Sequence, residues 1–217
     1  MIEFKDVTAT YKKNIGIFNI SFKVNPGEMV FIMGPTGAGK STVLKAIYRE
    51  VGIDSGRIYV DNKDISEINS VKSISAVRRK IGMIFQDFKL LNDRTVFDNI
   101  ALPLRIEGYA YDNIKKMVKD SLLKIGLSGC EKSYPLELSG GEQQRICIAR
   151  ALVKKPKVIL ADEPTGNLDP NISDEILDLL ELCTNEGTAV LMSTHNFPLI
   201  KPRKKQFIEL NQGRMVK

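Results

Sequence analysis

The chain has 217 residues, 43% of them hydrophobic and 27% charged, with a net charge of +6. That is enough chain for one sizeable α/β domain with a buried core, and the balance is ordinary for a soluble globular protein. No apolar run approaches a bilayer-crossing length and the N-terminus lacks a signal-peptide layout, so a cytosolic protein is expected. Three scattered cysteines (Cys130, Cys147, Cys183) without metal spacing fit a reducing compartment, and the mild positive charge alone selects neither nucleic acid nor membrane.

In chain order, Ile2, Phe4 and Val7 open an amphipathic strand. Phe18, Ile20, Phe22 and Val24 alternate with polar residues, which predicts a second half-buried strand antiparallel to the first. Pro26-Gly27 turns the chain into the apolar run Met29-Val30-Phe31-Ile32-Met33. Gly34-Pro35-Thr36-Gly37-Ala38-Gly39-Lys40-Ser41 follows directly; after Thr42, the residues Val43, Leu44, Ala46 and Ile47 recur at helical spacing. Strand, glycine-rich turn and helix stand in the order that a phosphate loop requires. Glycines let consecutive backbone N–H groups converge into an anion nest, and the helix start adds its positive dipole end. Lys40 supplies charge for the outer phosphates, and the Ser41 hydroxyl is placed to hold Mg²⁺. A nucleoside triphosphate is the expected ligand.

Further on, Asp54-Ser55-Gly56 precedes a short strand through Ile58 and Val60, and Arg78-Arg79-Lys80 leads into an apolar run from Ile81 to Phe85 that ends at Gln86. Residues 87–156 read as mostly helical, with Ile114, Met117, Val118, Leu122 and Ile125 on one helix face and Gly126 as a stop. Strand signals return at 158–161, 189–194 and 206–210. The expected organisation is one domain, a core of residues 1–86 and 157–217 with a helical insertion over about 87–156.

Two further groups carry chemistry. The apolar strand Val158-Ile159-Leu160-Ala161 ends in Asp162-Glu163, and carboxylates at the C-terminal end of a buried strand lie where α/β folds bind ligands. Asp162 suits a Mg²⁺ partner acting through water, and Glu163 suits a base for the attacking water. His195, the only histidine, follows another apolar strand and is placed to hydrogen-bond the γ-phosphate. Leu138-Ser139-Gly140-Gly141-Glu142-Gln143-Gln144-Arg145 opens a helix that Ser139 can cap, a second anion-binding helix start in a chain that already has one phosphate loop.

Residues 34–41, 138–143, 158–163 and His195, in this order, resemble the ATP-binding cassette (ABC) ATPases over the whole chain. The resemblance implies a P-loop NTPase with a RecA-like α/β core, an N-terminal antiparallel β-subdomain and an inserted helical subdomain. It implies ATP and Mg²⁺ as cofactors, with Lys40, Glu163 and His195 catalytic and Ser41, Gln86 and Asp162 at the metal. Nucleotide binding would fall to Tyr11, residues 34–42 and Gln86, and Tyr11 matches the aromatic that stacks on adenine. Ser139, Gly140, Gly141 and Glu142 would act on the nucleotide of a second copy in a head-to-tail homodimer, which gives the spare anion site a purpose. Gly166-Asn167-Leu168-Asp169 matches the loop linking the two sites.

Within that family, Phe85-Gln86-Asp87-Phe88-Lys89-Leu90-Leu91-Asn92 and the residues on to Asn99 look like the cell-division branch. This implies an integral membrane partner that is moved by ATP-driven closure to activate peptidoglycan hydrolases, with the chain at the cytoplasmic face of the cell membrane and touching the membrane surface only indirectly. The stretch Asn99-Ile100-Ala101-Leu102-Pro103-Leu104 is shared with lipoprotein-release and macrolide-export ATPases, the nearest alternative, and a nucleotide-gated scaffold at the division site is a third. Nucleic acid is not an expected partner, since the cassettes that act on it carry long coiled-coil insertions or a second cassette. Two departures stand out: Asn196 replaces the usual aspartate after the histidine but, with Pro198, still reads as a helix start, and Tyr48-Arg49-Glu50 replaces a glycine-containing segment. The basic tail (Lys201, Arg203, Lys204, Lys205) reads as a solvated surface or as an attraction for anionic lipid.

Overall fold

A computed structural model describes residues 1–12, 15–166 and 168–216. Strands β1 (Ile2–Lys12), β2 (Ile15–Val24), β4 (Ser55–Val60) and β5 (Lys63–Asp64) form an antiparallel sheet in the order β2-β1-β4-β5. A six-stranded sheet, in the order β10-β9-β3-β8-β7-β6, contains β3 (Met29–Met33), β6 (Ile81–Ile84), β7 (Val158–Asp162), β8 (Ala189–Ser193), β9 (Gln206–Asn211) and β10 (Arg214–Met215). All its pairings are parallel except that of the edge strand β10 with β9.

The apolar strands are continuous because both of their faces are covered, and their side chains divide by the two-residue period of a strand. Val30, Ile32, Val158, Leu160, Ala189 and Leu191 face one core, shared with the antiparallel sheet and with helix α1 (Lys40–Ile47). Phe31, Ile159, Ala161, Val190 and Met192 face the other, against α5 (Gly140–Leu152) and α6 (Pro170–Asn185). A third core is made by α3 (Val96–Ile106), α4 (Tyr111–Lys124) and α5. Helix α5 serves two of these: Cys147, Ile148 and Ala151 pack on the sheet, whereas Ile146, Ala149 and the capping residue Val153 pack on the helical layer.

The pattern of β1 and β2 departs from strict alternation. Ile17, Ile20 and Val24 are buried while Phe18 is half-buried, because Asn19 takes a left-handed backbone (φ 52°) and shifts the register by one. Asp6 (φ 49°) does the same on β1, which sets the three-residue step from Phe4 to Val7. The segment Tyr48-Arg49-Glu50 holds a related finding: Arg49 has φ 56°, a conformation that glycine adopts freely. Arg49 donates to the Ile68 carbonyl (3.0 Å), and Arg78 donates to the Tyr48 and Arg49 carbonyls (3.0 and 3.1 Å), so side-chain bonds secure what glycine would supply by freedom.

Candidate nucleotide-binding site

Every expected residue of the phosphate site stands at the C-terminal edge of the parallel sheet. The loop 34–39 follows β3, Gln86 lies two residues past β6, Asp162 ends β7, and His195 lies two residues past β8. Gly39 caps α1 with φ 103°, and a side chain there would meet the Ile17 methyl at 2.9 Å; the antiparallel sheet thus fixes the rear of the loop. Tyr11 is 57% exposed on β1, next to Thr10, the register partner of Gly16, whose carbonyl borders Gly39. An aromatic face is therefore left open near the base of the cradle.

Lys40 is almost wholly buried. Its ammonium donates to the Gly34 and Pro35 carbonyls (2.9 and 3.2 Å) and lies 3.3 Å from Glu163 Oε1. The loop thus wraps its own lysine, and the Ala38 N–H closes the turn on the Pro35 carbonyl (3.1 Å). Ser41 Oγ donates to Asp162 Oδ1 at 3.0 Å, joining two of the three expected metal-binding residues directly.

Asp162 and Glu163 diverge because Glu163 leaves the strand with left-handed backbone (φ 44°), a costly conformation for a non-glycine residue and one found where function requires it. Glu163 Oε2 is 3.0 Å from His195 Nδ1. A Cβ at Gly166 would lie 3.8 Å from Glu163 Oε2 and 3.9 Å from Gln86 Nε2, so both side chains converge on the turn after β7. Asn167, from the expected inter-site loop, lies outside the described residues; Asp169 caps α6 through the N–H groups of Asn171 and Ile172. Asn196 caps the short helix α7 (Phe197–Ile200) through Leu199 N–H.

Sequence reasoning missed Ser193. Its hydroxyl donates to Asp162 Oδ1 (2.6 Å) and accepts from the Glu163 N–H (3.0 Å), holding both acids at once. The signal was available: β7 and β8 are adjacent parallel strands, and Ser193 is the register partner of Asp162.

Ser139 starts α5 with a reciprocal cap. Its Oγ donates to Glu142 Oε2 (2.7 Å) and accepts from the Glu142 N–H, and the same carboxylate takes the Ser139 N–H at 2.9 Å. These bonds from Ser139 hold the Glu142 carboxyl below its ordinary value. Among the described residues no hydrogen bond joins Ser139 to loop 34–42. The two glycines differ: a Cβ at Gly141 would meet Ile172 Cδ1 at 2.8 Å, whereas at Gly140 it would meet nothing within 4 Å. Gly141 answers to packing within the fold, and Gly140 leaves an approach open from outside.

The ABC transporter family model matches residues 17–166. The chain belongs to the ABC transporter family, in its FtsE branch. The cassette is 46% identical to the cell division ATP-binding protein FtsE of Bacillus subtilis, over all of this chain and 95% of the relative. It is 45% identical to the FtsE of Escherichia coli, over 99% of this chain and 97% of that one. Among solved structures, the dimeric ABC transporter cassette MJ0796 superposes with a TM-score of 0.90 at 35% identity, covering 100% of this chain and 97% of the other.

A second surface of the cassette is a cleft of about 390 Å³ away from the phosphate loop, between the core and the helical layer. Tyr48, Met83, Phe85, Leu102, Pro103 and Ile106 give it an apolar lining. Five cations (Arg78, Arg79, Lys89, Arg150, Lys154) surround it against one carboxylate, Glu107. Among the described residues no helix is long and apolar enough to cross a membrane. The basic tail is less free than its sequence implies: Arg203 is mostly buried among Asp174, Asp178 and Glu181, and Lys205 pairs with Glu181.

Proposed function

We propose that the chain is the ATP-binding and hydrolysing subunit of an FtsE–FtsX-type complex, in which ATP-driven closure of two copies moves an integral membrane partner during cell division. The single observation that carries this reading is the ion-paired and hydrogen-bonded set Lys40–Glu163–His195 with Ser41–Asp162–Ser193, built on three adjacent strand ends at the mouth of the phosphate loop. ATP binds with its phosphates in loop 34–42 and its adenine against Tyr11. Lys40 then turns from the Glu163 carboxylate to the outer phosphates, which frees Glu163 to accept the proton of the attacking water. His195 keeps Glu163 oriented and donates toward the γ-phosphate. The hydroxyl of Ser41, the carboxylate of Asp162 and the amide of Gln86 form an oxygen-rich donor set that fits Mg²⁺, which when bound neutralises charge on the phosphate oxygens.

Ser139 and the open backbone at Gly140 supply the second half of the site to the other copy's nucleotide, since a pre-formed helix start with open space at Gly140 suits an anion arriving from outside. The core of residues 1–86 and 157–217 holds the nucleotide, and the helical block 87–156 carries Ser139. The cleft between them takes a segment of the membrane partner, so that the cassette works at the cytoplasmic face of the membrane.

Steady-state ATP turnover by the chain, alone and with its membrane partner, tests the reading. Turnover abolished by Lys40→Ala and stimulated by the partner is expected. Phosphate release that survives Lys40→Ala contradicts it.

A further inference from the structure

Phe88 and Lys89 lie just past Gln86, and both have left-handed backbones, φ 58° and 50°. Two bulky residues in succession in that region are unfavourable and persist only where their surroundings fix them. Arg150 does the fixing. Its guanidinium donates to the Lys89 carbonyl at 2.6 Å and to the Phe88 carbonyl at 2.7 Å. The other end of the segment is held by Asn99, fully buried on α3, which donates to the carbonyls of Leu91 and Thr95 (3.0 Å each) and accepts from the Leu91 N–H (2.8 Å). The hydrogen bonds that hold the segment leaving core strand β6 thus come from the helices α5 and α3.

Arg150 and Ser139 sit on the same helix, α5, separated by eleven residues or about 16 Å along its axis. A charge-assisted, two-pronged bond is stiff and directional, so a shift of α5 carries the Phe88–Lys89 turn with it. The turn is two residues from Gln86, whose amide lies beside Gly166, as does the Glu163 carboxylate.

We propose that Arg150 is a positioning residue for ATP hydrolysis: its grip on the left-handed turn places Gln86, and it thereby ties each copy's own catalytic centre to the helix whose first turn serves the other copy's nucleotide. This rests on the reading of the chain as an ATPase with Gln86 at its centre. Arg150 touches no reacting atom; it acts through the backbone at 88 and 89. Its place in the wall of the cleft also gives an occupant of the cleft a direct contact with the group that sets Gln86.

The test uses the full chain in complex with its membrane partner and measures steady-state ATP turnover. Arg150→Ala is expected to lower kcat by about tenfold while the KM for ATP stays within about twofold, because ground-state binding lies with the phosphate loop. Adding Lys89→Gly, which removes the side-chain penalty of the left-handed turn, should restore most of the lost kcat. A purely structural arginine would show no such rescue. Should thermal melting show that Arg150→Ala fails to fold, Arg150→Lys, which retains the charge without the two-pronged grip, takes its place in both arms. An unchanged kcat, or a loss that Lys89→Gly leaves in place, overturns the inference while the ATPase reading stands. Wild-type turnover that Lys40→Ala does not abolish overturns the ATPase reading, and this inference with it.

Discussion

Glu163 Oε1 lies 3.3 Å from the ammonium of Lys40, so the proposed base and the proposed phosphate-binding charge neutralise each other. Both partners are largely withdrawn from water, where such a pair interacts more strongly than on the surface. In the proposed mechanism nucleotide binding breaks this contact, and the carboxylate becomes available when a phosphate takes its place beside Lys40.

Glu163→Gln follows from that contact. Turnover should fall by at least about 10²-fold, the low end for a lost general base. The neutral amide no longer competes for Lys40, so ADP as well as ATP should bind more tightly. Equilibrium titration with each nucleotide checks this; an unchanged ADP affinity would show that the contact does not restrain the free protein.

Lys40→Ala should abolish turnover while leaving the fold intact at neutral pH. Among the described residues the ammonium contacts the Gly34 and Pro35 carbonyls and Glu163, and its removal leaves the main hydrophobic clusters in place. Thermal melting beside a phosphate-release assay separates the two effects.

The two glycines at the start of α5 should respond oppositely. Gly140→Asp has open space and should melt like the wild type, yet lower turnover by about 10²-fold by placing a negative charge where an anion must approach. Gly141→Leu puts a branched side chain at a buried position where a Cβ alone already lies 2.8 Å from the tip of Ile172, and should destabilise the fold by about 1–3 kcal/mol. Equal melting temperatures for the two variants would contradict this division of roles.

Asp61 bonds to Lys80 and Lys157 (3.0 Å each), and these partners hold its carboxyl below its ordinary value of 3.8. A depressed folded-state value means that the stabilisation is present above about pH 4 and is lost as pH falls through the folded value. Asp61→Asn should remove this acid-side dependence. Urea titrations at pH 7 and at pH 3.5 measure it: the gap between wild type and variant should narrow at the lower pH.

Much of this was legible in the residues. The phosphate loop, the acid pair and the start of α5 each need particular residue types at fixed spacing, and each stands where the spacing puts it. What was not legible was set by registers and backbone turns. Ser193 became a support for Asp162 only once β7 and β8 paired in their actual register. Phe18 moved off the buried face because Asn19 turned left-handed, a step that an alternation of residue types does not encode. Arg203 reads as part of a basic tail until α6 brings Asp174, Asp178 and Glu181 around it. Arg150 is three residues past Cys147 in a run of apolar positions, and its reach to a turn sixty residues earlier depends on how α5 lies on β6.

The central claim is that two copies sandwich ATP, each offering Ser139 to the other's phosphate loop. Light scattering of the Glu163→Gln chain during gel filtration tests it most directly. With MgATP the mass should rise from 24.3 kDa to about twice that value, and both omission of nucleotide and Gly140→Asp should return it to the monomer. A chain that binds ATP yet remains at 24.3 kDa, or a dimer indifferent to both nucleotide and Gly140→Asp, would contradict the account.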